Sequence, residues 1–75
     1  MTTTRYATPT LRKWGDTSWQ VHAHPWKVHV GWIDDVGPVG WEAVNPRGLI
    51  LGLWPTRQAA AEVLVKQAGY ELEMT

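Results

Sequence analysis

The order of apolar and polar residues predicts a strand in the first half of the chain. In the segment WKVHVGW, residues 26–32, Lys27 and His29 fall between apolar neighbours. Because side chains alternate between the two faces of a strand, the apolar ones are expected to point the same way. These apolar residues are Trp26, Val28, Val30 and Trp32. Pro25 interrupts the pattern, so we expect only a short extended segment before it, from Trp19.

Two further strands are predicted on either side of a turn. After a loop that contains Asp, Gly and Pro, one strand runs from about Gly40 to Val44 and the next from Leu49 to Trp54. Between them, Asn45–Gly48 reads NPRG, with Asn first, Pro second and Gly fourth. This order favours a type I turn, because Pro presets φ and Gly tolerates the positive φ that leads into the next strand.

The segment after Trp54 predicts a helix with both ends marked. Thr56 is the expected N-cap, and Gly69 stands where a glycine of positive φ ends a helix. Apolar residues at helical spacing are expected to face the sheet, namely Ala60, Val63, Leu64 and Ala68. Beyond the helix, Tyr70, Leu72 and Met74 alternate with glutamates, which predicts a short terminal strand.

These elements predict a two-layer α+β fold. We expect an antiparallel meander sheet of three strands, or four with the terminal one, packed by one C-terminal helix. Residues 1–13, which are rich in Thr, are expected to form a flexible N-terminal arm, and residues 14–75 a single small domain.

The third predicted strand is apolar on both sides, and one helix covers only one face of a sheet. Leu49, Leu51 and Leu53 alternate with Ile50 and Trp54. A sheet with a solvated face would instead show polar residues at every second position. We therefore expect the second face to be covered by the N-terminal segment with Trp14 and Trp19, by a second copy of the chain, or by a different partner.

Composition directs attention to protein contacts. The chain has 75 residues with six Trp and no Cys, which excludes disulfides and thiolate zinc sites. A domain of this size cannot bury six indoles, so some of them should lie in an interface, where Trp is enriched. The protein-binding candidates are Trp26, Trp32, Trp41 and Trp54.

Residues with catalytic or metal-binding potential are few. His22 and His24 share a face if extended, whereas His29 has the opposite parity, so we predict no metal site. Asp34 and Asp35 are adjacent loop carboxylates and are expected to point apart. No nucleophile motif, phosphate-binding glycine loop or zinc motif is present, so we predict no enzymatic activity, no catalytic residue and no cofactor.

Charge disfavours nucleic acid without excluding it. Seven basic and seven acidic residues give a formal net charge of zero, and phosphate binding usually requires a basic excess. A DNA-binding surface, kept as the alternative, would use Arg12, Lys13, Lys27 and Arg47. We also expect no membrane-spanning segment, no signal peptide and a cytoplasmic location.

Residues 40–67, GWEAVNPRGLILGLWPTRQAAAEVLVKQ, resemble a recurring hairpin-plus-helix pattern. Its marks are a strand that opens with Trp41, a Pro/Gly turn, an aromatic–x–Thr step at Trp54 and Thr56, and a helix that begins with Arg57 and alanines. The pattern looks like the arm-binding N-terminal domain of phage tyrosine recombinases and like small accessory proteins of actinobacteria and their phages. In the recombinase domains the sheet reads DNA with several basic residues, whereas this hairpin offers only Arg47.

We therefore expect a non-enzymatic accessory protein of phage type, acting in the host cytoplasm. It would bind a host protein or a second copy of itself through a Trp-rich sheet face.

Overall fold

The computed structural model describes residues 4–73, which form one curled mixed sheet and one helix. The elements in chain order are β1 (Tyr6–Lys13), β2 (Ser18–His24), β3 (Val28–Asp35), a short 3-10 helix (Gly37–Val39), β4 (Trp41–Val44), β5 (Ile50–Trp54), α1 (Arg57–Gln67) and β6 (Glu71–Leu72). The strands lie in the order β5-β4-β3-β2-β1-β6. All neighbours are antiparallel except β1 and β6, which are parallel. Because β5 and β6 are opposite edges, α1 connects the two sides of the sheet.

The prediction of three or four antiparallel strands is wrong, because the N-terminal segment belongs to the sheet. Tyr6–Lys13, expected in a flexible arm, pairs with β2 over most of its length and with β6 at Tyr6 and Ala7. Pro9 lies beyond the part that pairs with β6, where β1 has a single neighbour and a missing backbone N–H is tolerated. Thr-rich sequence suits a strand once a partner is available. The first three residues of the predicted arm, and Met74 of the predicted terminal strand, lie outside the described residues.

The first predicted strand is displaced and its parity is wrong. Trp26 and Lys27 lie in the turn between β2 and β3, and Lys27 has φ of 60°. The register between β2 and β3 shifts between Val21 and His22. Val21 pairs with Gly31, whereas His22 pairs with His29. This bulge leaves Val30 as the extra residue, and Val30 is buried in the core. A bulge reverses the alternation beyond it, so Trp32 points away from the core that Val30 joins.

A second bulge changes the parity of β5. Ala43 pairs with Gly52 and Val44 with Ile50, which leaves Leu51 as the extra residue. Leu51 packs against the core, whereas Ile50 and Leu53 are 63% and 53% exposed. The expectation that Leu49, Leu51 and Leu53 share one face is therefore wrong, and the strand turns Leu51 and Trp54 inward.

The predicted helix and the turn before β5 are confirmed. Thr56 caps α1, with its side-chain oxygen accepting from the Ala59 backbone N–H at 3.1 Å. In the turn, the Asn45 side chain accepts from the backbone N–H groups of Arg47 and Leu49 at 3.0 and 2.9 Å. Four residues of α1 are buried: Ala60, Ala61, Leu64 and Val65. Ala68, predicted to face the sheet, is exposed.

The core is thin because small residues lie under the helix. Ala7, Ala23 and Ala43 are fully buried on the sheet, opposite the alanines of α1. Gly31, with φ of 142°, lies so close to α1 that an added Cβ would be 2.8 Å from Leu64 Cδ2 and would overlap the Val44 carbonyl oxygen. The helix therefore packs close against the middle of the sheet, and it packs on one face only.

The N-terminal segment does not cover the other face. It was one of three expected covers, but it lies beside β2 as a strand of the same sheet. Within residues 4–73 no helix or strand lies across the face opposite α1, and only Trp14 of the β1–β2 loop lies against it, where it lines a depression with Ser18 and Trp32.

Candidate functional site: the open face of the sheet

The face of the sheet opposite α1, called here the open face, is organised in rows across the strands. One row contains Ser18, Asp34, Glu42 and Leu53, and the next contains Arg12, Gln20, Trp32, Val44 and Ile50. A third row contains Thr10, His22 and His29. The core residues alternate with these along each strand, so the rows share one side of the sheet.

The open face changes from polar to apolar across its width. Toward β1 it presents Arg12, Gln20 and His22, whereas toward β5 it presents four apolar side chains, with Glu42 beside them. This apolar patch consists of Trp32, Val44, Ile50 and Leu53. The patch runs up to β5, which lies at the edge of the sheet. Contiguous exposed apolar surface beside an unpaired edge is typical of a site of contact with another chain.

Two histidines and Trp32 form an aromatic cluster in the centre of the open face. The rings of His22 and His29 are 5.2 Å apart, and His29 meets Trp32 edge-on at 4.5 Å. The expectation that His29 has the opposite parity from His22 is wrong, because the bulge in β3 brings the two opposite each other. Burial lowers the pKa of His22 from its ordinary value, and the nearby His29 and Arg12 lower it further.

This cluster does not make a recognisable metal site. His29 Nε2 is buried and makes no hydrogen bond within residues 4–73. In the same part of the chain, no three His, Asp or Glu side chains are grouped in a way that could hold a metal ion.

The four predicted tryptophans do not form one surface. Trp32 alone lies on the open face. Trp41 and Trp54 are paired across β4 and β5 and pack against the core on the helix side, where Trp41 also meets Trp19 at 5.4 Å. Trp26 lies in the β2–β3 turn and donates its indole N–H to the Tyr6 carbonyl oxygen at 2.8 Å.

The basic residues of the alternative are also dispersed. Arg12 lies on the open face, whereas Lys13 stands over the Trp19 ring at 4.7 Å on the helix side. Lys27 is in the β2–β3 turn. Arg47 is in the turn before β5 and lines a cavity of about 240 Å³ near the C-terminal end of α1. The sheet therefore does not gather these four cations on one face.

The facing of Ile50 and Leu53 depends on the β5 bulge, and Val44 was not a candidate because only tryptophans were chosen. The depression has a volume of about 310 Å³ and is lined by Trp14, Ser18, Trp32, Asp34 and Val44. A usable signal for Trp14 was its position in a short polar hairpin loop, where a large indole has little to pack against.

Comparisons of the chain with protein-family models, curated proteins and solved structures give no match. In residues 4–73 no helix has the length and apolar character needed to cross a membrane.

Proposed function

We propose that this protein is a non-enzymatic binding module that contacts another polypeptide chain through the open face and the β5 edge. The observation that carries the proposal is the apolar patch that reaches an edge strand with exposed side chains. Leu49, Ile50 and Leu53 are 61%, 63% and 53% exposed. An unpaired edge offers backbone N–H and C=O groups to an incoming extended segment, and the flanking side chains add apolar contact.

The apolar contribution of this edge is large enough to matter. Complete burial of an aliphatic side chain stabilises by about 1.5–3 kcal/mol. Burial of the exposed fractions of Ile50 and Leu53 would therefore contribute on the order of 2–3 kcal/mol to a complex. A lysine at either position would remove this contribution and place a charge at the edge, which is a device natural sheets use to prevent edge pairing.

The test compares the wild type with Ile50→Lys and with a matched control, Val39→Lys. Val39 is 65% exposed, close to the 63% of Ile50, but lies in the 3-10 helix before β4. Self-association is measured by sedimentation of the purified chain, and binding to a different protein by capture from a bacterial lysate. We expect Ile50→Lys to abolish the association and Val39→Lys to retain it. Association that survives Ile50→Lys, or a wild type that associates with nothing, would refute the proposal.

The DNA-binding alternative has less support, since its four cations lie on different parts of the structure. The phage-type origin and the host target stay predictions. Binding of duplex DNA that weakens steeply between about 50 and 200 mM salt would favour the alternative, because phosphate contacts release counterions. The same experiment on Arg12→Gln would show whether the open face is responsible.

A further inference from the structure

The depression on the open face joins two indoles and a carboxylate. Trp14 follows β1 in the β1–β2 hairpin and is 64% exposed, and its backbone N–H donates to the Ser18 carbonyl oxygen at 2.9 Å. Trp32 and Asp34 come from the same side of β3, two residues apart. Val44 of β4 completes the lining of this space of about 310 Å³. Three strands and a hairpin loop therefore build the depression.

The carboxylate in the depression is held in place and has acceptor capacity left. The Ser18 hydroxyl donates to Asp34 Oδ1. A carboxylate has about four lone-pair sites on two oxygens, so one neutral donor leaves most of them available. Glu42 stands directly opposite Asp34 in the β3–β4 register. The depression and its border thus present two acidic groups beside two indole rings.

Three other aromatic rings of this protein have its own cations beside them. Trp19 has Lys13 and Arg57 over its ring at 4.7 and 5.3 Å. Arg5 stands 5.5 Å from the Trp26 ring and 5.3 Å from the Tyr70 ring. In residues 4–73 no lysine or arginine stands over Trp14 or Trp32 in this way, although both indoles line the same depression as the Asp34 carboxylate.

We propose that the depression binds a cationic side chain, arginine or lysine, of the partner polypeptide. A cation gains attraction from the faces of indole rings, and a charged hydrogen bond to a carboxylate is stronger than a neutral one. Val44 and the indole rings supply apolar surface for the aliphatic part of the side chain. The proposal rests on the proposed function only in that the side chain belongs to a partner polypeptide. Binding of the cation in the depression is tested without a partner.

The probe is blocked arginine, Nα-acetyl-arginine methylamide, titrated into the full chain and followed by the indole N–H signals in NMR spectra. Its control ligand is the blocked citrulline, which has nearly the same shape and no charge. We expect saturable shifts at Trp14 and Trp32 with arginine, and affinity for citrulline weaker by about fivefold or more. Blocked lysine is expected to bind at the same signals.

Two variants test whether the Asp34 carboxylate binds the arginine. Asp34→Asn keeps an acceptor for the Ser18 hydroxyl and is expected to weaken arginine binding about fivefold or more. Asp16→Asn makes the same charge change at an exposed residue of the β1–β2 loop and should bind as the wild type does. Chemical-shift spectra of both variants confirm that they are folded.

Equal binding of arginine and citrulline, shifts away from Trp14 and Trp32, or equal effects of Asp34→Asn and Asp16→Asn would each overturn the inference. Failure here is distinguishable from failure of the proposed function. A depression that binds arginine stands even if Ile50→Lys leaves association unchanged, and loss of association in Ile50→Lys stands even if arginine does not bind.

Discussion

Replacement of Gly31 by alanine tests the packing of β3 against β4 and α1. Gly31 is buried in β3 directly under the helix, and its φ of 142° belongs to a region that residues with a side chain rarely adopt. An added Cβ would overlap the carbonyl oxygen of Val44 and would lie 2.8 Å from Leu64 Cδ2. The leucine tip can rotate away, whereas the carbonyl oxygen belongs to β4 and cannot move without displacing that strand.

Two costs add in this variant. A non-glycine residue in such a conformation costs about 1–3 kcal/mol, and overpacking in a close-packed core typically costs about 1–3 kcal/mol more. We therefore expect Gly31→Ala to lower the free energy of unfolding by about 2–6 kcal/mol. A domain of 75 residues has a total of only about 4–11 kcal/mol, so the variant should lose a large part of its stability.

Urea unfolding followed by tryptophan fluorescence measures the effect. With a slope of about 1 kcal/mol per molar urea for a domain of this size, the midpoint should fall by about 2 M or more. Gly15→Ala is the control, because its Cβ would meet no atom within 4 Å and its φ is not positive. Its midpoint should stay the same or rise slightly. Equal midpoints for the two variants would refute the described packing of β3 against β4 and α1.

Three further predictions concern the cap, the core and the histidine pair. Thr56→Ala should lower the free energy of unfolding by about 0.5–2 kcal/mol and Thr56→Ser should restore most of it, as measured by urea unfolding; equal losses would argue against the side-chain cap. Leu64→Ala should cost about 2–5 kcal/mol, whereas Leu49→Ala, at a residue 61% exposed, should cost less than about 0.5 kcal/mol; similar midpoints would contradict the core assignment. Because the pKa of His22 is lowered in the folded state from about 6.5, the unfolded state binds its proton first. The urea midpoint should therefore fall as pH drops below about 6.5, and it should fall less in His22→Gln; an equal decline would place the effect elsewhere.

The second half of the fold was predictable because its signals are local. The NPRG turn, the Thr56 cap and the helical spacing after it each depend on residues close in sequence. The structure confirms the turn and the helix, with β4 and β5 beside them. Local signals of this kind can be recognised in a sequence because the side chains that accept hydrogen bonds from the backbone lie within a few residues of those backbone groups.

The first half was not predictable in the same way because its strands depend on distant partners. Tyr6–Lys13 has no strong apolar alternation, and it becomes a strand through pairing with β2 and with β6 at the other end of the chain. The bulges at Val30 and Leu51 reverse side-chain direction, and each lies beside a glycine of positive φ, Gly31 or Gly52. A glycine within a strand pattern indicates that a bulge can form there, but it does not show which residue is the extra one. Each bulge moved a residue to the face opposite the predicted one: Trp32 does not share a face with Val28 and Val30, and Leu53 does not share a face with Leu51.

The candidate site was predicted only in part, for the same reason. The excess of tryptophan indicated surface contact, but it did not show which indoles serve the core. Trp41 and Trp54 lie beside the helix, whereas Trp32 and Trp14 lie on the other side, and Trp14 had been expected only as part of an N-terminal cover of that face. What the sequence could not show was the width of the open face, since that depends on the number of strands.

Amide hydrogen exchange of the chain, free and in its self-associated or partner-bound complex, tests the central claim most directly. We expect binding to slow exchange at the amides of β5 and of the neighbouring strand β4, while α1 exchanges as in the free chain. Protection confined to α1, with β5 unchanged, would contradict the claim that this protein binds another chain through the open face of its sheet.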